Sequence, residues 1–74
     1  MNNKRRIALR EAIRLLSLAS GILSAVADEE QDALDNIPEN LEGSDLSDRL
    51  QENVELFESS SDTLSDIIDA LSDV

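Results

Sequence analysis

The chain has 74 residues, seventeen of them acidic and six basic, for a net charge of −11 and no histidine or cysteine. That composition excludes disulfides, thiolate metal sites, a Ser–His triad and the usual His-containing zinc and di-iron centres. At this length one core supplies only a few kcal/mol, so an unstapled chain needs either a partner or a well-ordered helical core.

Phe57 is the only aromatic residue, and Ala, Leu, Ile, Ser, Asp and Glu dominate around two glycines and one proline. These are helix formers for the most part. Composition alone would permit an acidic disordered segment. The spacing of the leucines argues for folded helices instead.

Met1 to Asn3 are expected to fray, and a first helix reads over residues 4–35. Leu9, Ile13, Leu16, Ser20, Leu23, Ala27 and Leu34 form a heptad-like seam interrupted by Glu30. A second apolar row, Leu15, Leu18, Ile22 and Ala25, runs along its flank, with Ala12, Ala19 and Val26 between the rows. Such an arc is wider than one antiparallel helix can bury. The second row is therefore the candidate oligomer interface. Gly21 within the helix is either a site of close helix approach or a tolerated surface glycine. The apolar run Ile13 to Ala27 follows basic residues, as a signal segment would. Asp28-Glu29-Glu30 directly after it and the unbroken helical phase favour a helix of the mature fold.

Pro38 disfavours helical geometry at Ile37, so residues 36–43 are read as the connection, with one short turn from Pro38. Ile37 and Leu41 are the side chains expected to plug that end of the core. A second helix reads over residues 44–73. Ser44 is its N-cap, with Asp45 and Asp48 in the first turn, where the helix dipole favours negative charge. Leu46, Leu50, Phe57, Leu64 and Leu71 mark its apolar side. Asp45, Asp48, Glu52, Glu55, Glu58, Asp62, Asp66, Asp69 and Asp73 mark the opposite one.

A short connection makes the helices antiparallel neighbours. The fold class expected is all-α, an antiparallel two-helix hairpin that dimerises into a four-helix bundle. Pairing residues whose numbers sum to 80 aligns the two seams: Leu34 with Leu46, Ala27 with Asn53, Leu23 with Phe57, Ser20 with Ser60, Leu16 with Leu64, Ile13 with Ile67 and Leu9 with Leu71. The same register sets Glu30 opposite Leu50 and beside Arg49. It also sets Arg14 near Asp66, Arg10 near Asp69 and Arg6 near Asp73, exposed ion pairs contributing about 0–1 kcal/mol each.

Charge is distributed unevenly. Lys4, Arg5, Arg6, Arg10 and Arg14 lie near the start of the first helix, whereas from Asp28 onward Arg49 is the only cation. A field of one sign repels nucleic acid and attracts basic surfaces. The acidic residues Asp28, Glu29, Asp32, Asp35, Glu39, Glu42, Asp45, Asp48, Glu52, Glu55, Glu58 and Asp62 are accordingly the candidate partner-binding set. Helix turns space carboxylates at ~5–6 Å, near the spacing of backbone phosphates, so such rows can imitate nucleic acid to a protein that neutralises phosphates with Lys and Arg. No stretch carries the ligand order of an EF-hand, and no motif implies a cofactor or a catalytic pair. A non-enzymatic protein is expected, with no direct nucleic-acid or membrane partner.

The basic start Lys4-Arg5-Arg6, the block Asp28-Glu29-Glu30-Gln31-Asp32-Ala33 and above all Asp35-Asn36-Ile37-Pro38-Glu39-Asn40-Leu41 resemble a group of short acidic helical proteins common in bacteriophages and mobile elements of Firmicutes. The resemblance implies a phage or prophage origin and residence in the cytoplasm of a bacterial host. Two functions fit these expectations. One is an inhibitor of a basic, nucleic-acid-binding host protein, such as a restriction, CRISPR or other defence component or a transcription factor. The other is a homodimeric structural or adaptor protein in phage assembly or regulation.

Overall fold

A computed structural model describes residues 1–74: helix α1 at Asn3–Asp35, a single 3-10 turn at Glu39–Leu41 and helix α2 at Asp45–Ser72. The two helices pack against each other in a rod of 60 × 14 × 14 Å. α1 starts at Asn3 rather than fraying there, because the Asn2 side chain caps it: Oδ1 accepts the Arg5 N–H at 2.8 Å. Its end is closed by Asn36, whose backbone N–H and side-chain Nδ2 both donate to the Asp32 carbonyl, at 3.1 and 2.7 Å.

Pro38 then holds the chain extended, at φ −58° and ψ 146°. The Leu41 N–H returns to the Pro38 carbonyl at 2.8 Å and closes the single turn. Gly43 adopts φ 77°, the left-handed region that side chains resist. The turn there lets the Ser44 N–H reach the Leu41 carbonyl. Ser44 Oγ in turn accepts from the Ser47 N–H and starts α2, with Asp45 and Asp48 in its first turn. Ile37 is half-buried below this connection, but Leu41 is exposed and does not plug the end.

The residues withdrawn from solvent define the seam. On α1 they include Leu9, Ile13, Leu16, Ser20, Leu23, Ala27, Glu30 and Leu34; on α2 they include Ser47, Leu50, Val54, Phe57, Ser61, Leu64, Ile68 and Leu71. Both series advance by alternate steps of three and four, the a and d positions of a heptad. Only Ala27 and Val54 are fully buried.

The expected constant sum of 80 holds at alternate layers; at the others the level partner is one residue further on, for a sum of 81. The reason is geometric. Where α1 advances four residues to its next seam position, α2 retreats three, so a fixed sum leaves the seam at every second layer. Val54 therefore replaces Asn53 at the level of Ala27, Ser61 replaces Ser60 at Ser20, Ile68 replaces Ile67 at Ile13, and Ser47 replaces Leu46 at Leu34. Leu46 is 52% exposed and Ile67 42% exposed, so neither is a core residue.

Candidate functional site

Assigning a and d to the seam fixes every other side chain around each helix. In an antiparallel pair the e and b positions of the two helices share one long face, and the g and c positions share the other. The structure shows the first relationship directly: Ser24 and Asp28 of α1 share an open hollow with Glu58 and Asp62 of α2, floored by Ala27 and Ser61. On the second side Asn53, at a g position, reaches to the seam residue Glu30, with Nδ2 donating to Oε2 at 2.8 Å.

The first face is anionic. α2 contributes Asp48, Glu55, Asp62 and Asp69, one every seven residues, with Glu58 beside the seam; α1 contributes Asp28 and Asp35. Two glutamine amides brace carboxylates one turn away, Gln31 Nε2 to Asp35 Oδ1 at 2.8 Å and Gln51 Nε2 to Glu55 Oε1 at 3.1 Å. All twelve candidate partner-binding residues are exposed, but they do not share one face. Asp28, Asp35, Asp48, Glu55, Glu58 and Asp62 do. Asp32, Asp45 and Glu52 lie on the outer backs of the helices, Glu39 and Glu42 lie in the connection, and Glu29 lies on the flank of Ile22.

The opposite face is apolar. Leu15 and Ile22 lie on it and are exposed; Leu18 and Ala25, also exposed, occupy f positions on the outer back of α1 beside it, so the four expected interface residues do not share one face. Leu46, Leu56, Ile67 and Val74 continue the surface from α2 and are exposed too. The contribution of α2 was missed in the sequence, where Leu46 and Ile67 were assigned to the core. The signal was the seven-residue row Leu46, Asn53, Ser60, Ile67 and Val74, which sits one position off the seam. Gly21 lies on the polar side instead, with nothing within 4 Å of where a Cβ would stand, and serves no close helix approach.

None of the expected interhelix ion pairs forms. The only ion pair joins Arg14 to Glu11 within α1, at 2.6 Å. Asp66 and Asp73 occupy outward f positions and point away from α1, which removes them from Arg14 and Arg6. For the remaining pairs, holding two long side chains together in water costs about as much as the attraction returns. Glu30 takes the amide of Asn53 in place of Arg49. The Arg14 guanidinium holds the Glu11 carboxyl below its ordinary range, and Glu11 raises Arg14 in return.

The remaining hollows are open ones, at the free end between Leu9, Ile13 and Leu71 and along α2 between Ser59 and Leu64. No group of three or more carboxylates is placed to hold a metal ion, and no helix is long and apolar enough to cross a membrane. Compared with known proteins, the chain matches no family, no curated protein and no solved structure.

Proposed function

We propose that this protein is a non-enzymatic binder that inhibits a basic, nucleic-acid-binding host protein by presenting its anionic face in place of nucleic acid, in a bacterial cell carrying the phage or prophage that encodes it. The observation that carries the reading is the placement of charge along the rod. Residues 21–60, the half nearest the connection, hold twelve acidic residues against Arg49 alone, whereas residues 1–20 and 61–74 hold five of each sign. All of the net charge thus sits on one half of the rod, where Asp28, Asp35, Asp48, Glu55 and Glu58 lie exposed on the anionic face. A protein surface built to neutralise phosphates with Lys and Arg is the complement of such a field.

The test is retention of host proteins from a bacterial lysate on immobilised protein, compared with a variant carrying Glu52→Gln, Glu55→Gln, Glu58→Gln and Asp62→Asn. The bound protein is expected to be released by duplex DNA, to be lost steeply as salt rises, and to be absent from the amide variant. Equal retention by the variant, or indifference to both DNA and salt, overturns the reading.

The exposed apolar face favours a second reading, a homodimeric structural or adaptor protein in phage assembly or regulation whose hairpins form a four-helix bundle. The two readings are compatible, because the apolar and anionic faces lie on opposite sides of the rod.

A further inference from the structure

The apolar face spans both helices and runs most of the length of the rod. Ile22 is 65% exposed on α1 and Leu56 is 58% exposed on α2; the register sets them within one helical turn of each other along the rod. Leu15 and Ile67 share another level nearer the free end, so the surface is a two-helix plane rather than one flank of α1.

The chain as a whole exposes more surface than a compact protein of its mass, as a two-helix rod must. The chain exposes 5501 Å², whereas a compact protein of 8.1 kDa exposes about 4,500 Å². The radius of gyration, 17.1 Å, likewise exceeds the roughly 11 Å of a compact chain of this length. A rod with this much exposed surface has room to bury the ~800 Å² that each partner contributes to a standard dimer interface.

Charge selects the arrangement. In a parallel dimer the connection-proximal halves, each carrying the full −11, would lie side by side. In an antiparallel dimer each such half lies against the partner's free end, where Lys4, Arg5, Arg6, Arg10 and Arg14 balance the acids. The apolar plane allows this placement, because Leu15, Ile22, Leu56 and Ile67 spread to either side of the level of Ala19 and Ser20. A two-fold axis through that level superposes the plane on itself and sets Glu29 at the level of Arg10 in the basic start of the partner.

We propose that a second copy of this chain covers the apolar face in antiparallel orientation, connection over free end, so that each anionic face remains outward. This rests on the homodimer reading and is independent of what the anionic face binds.

The test uses the purified full chain with no other protein present, so failure of the inhibitor reading leaves it untouched. Light scattering at 50 µM is expected to give twice the chain mass; a helical monomer, or any larger assembly, overturns the proposal. Leu56→Glu alone, a substitution on α2, is expected to weaken self-association at least tenfold. A dimer unaffected by it overturns the two-helix face. Because that variant could instead unfold, orientation is read without touching the apolar plane, from a spin label at Asp35→Cys on the polar side. The antiparallel dimer sets the two labels about 45 Å apart, from 1.5 Å of rise per residue to either side of the axis. A distance below about 30 Å means the connections lie together and overturns it.

Discussion

The hydroxyl of Ser61 lies 3.4 Å from both the hydroxyl and the backbone carbonyl of Ser20 across the helix pair. This is a polar layer in the middle of the seam, with the Leu23 and Phe57 layer on one side and the Leu16 and Leu64 layer on the other. Contacts this long are weak hydrogen bonds. Replacing both partners by apolar groups of similar shape is close to neutral, and alanine is the better helix former. The double variant Ser20→Ala with Ser61→Ala is therefore expected to be as stable as the parent or about 1 kcal/mol more so. Thermal melts followed by circular dichroism at fixed concentration should show a rise of up to several degrees. A fall of that size would mean the serine pair contributes more than its geometry implies.

Asn53 and Glu30 form a shorter bond, and Glu30 is half-buried in a seam position at the level of Leu50. Asn53→Ala removes the donor and leaves the carboxylate with less solvation than water would give it, which is expected to cost about 1 kcal/mol. Glu30→Leu removes the charge and fills the layer, and is expected to stabilise. A double-mutant cycle read by urea unfolding should give a coupling of about 0.5–1.5 kcal/mol between the two sites. Additive effects would show that the bond contributes nothing.

The two glycines should respond in opposite directions. Gly21 is exposed within α1 with open space where a Cβ would lie, so Gly21→Ala is expected to raise stability by about 1 kcal/mol. Gly43 holds φ 77° before the N-cap of α2, so Gly43→Ala is expected to lower it by about 1–2 kcal/mol. Matching melting temperatures for the two variants would contradict the turn geometry.

The Glu11–Arg14 pair gives a pH signature confined to the start of α1. The guanidinium lowers the Glu11 carboxyl, so its contribution is full above the ordinary carboxylate range and is lost as pH falls through the lowered value. Carboxyl carbon shifts followed by NMR should place the Glu11 midpoint below that of the same residue in Arg14→Gln. Coincident midpoints would mean the pair does not persist in water.

The charge distribution and the helix limits were legible because each depends on local chemistry. Pro38, Gly43 and Ser44 stop one helix and start the next through dihedral limits and capping that act within a few residues. The limits departed by one residue at most: Asn2 supplied a cap and extended α1 to Asn3, and α2 runs Asp45–Ser72 between its caps Ser44 and Asp73. The α1 seam from Leu9 to Leu34 was equally visible, since its residues recur at steps of three and four along the helix. The α2 seam was harder to read. Leu46 and Ile67 are as apolar as the residues that pack, and Ser47, Val54 and Ser61 do not stand out as core. The acidic set, collected by charge alone, mixed residues from different sides of the rod.

By itself the sequence determined two helices, their break and the imbalance of charge along them, because propensity, capping and net charge are properties of short stretches. Tertiary structure decided which side of α2 turns inward, and with it which leucines pack and which join Leu15 and Ile22 on an open face. The physical reason is that two opposed helices step through their seams out of phase. One position of rotation on α2 separates core from surface, and only the packed pair fixes that rotation.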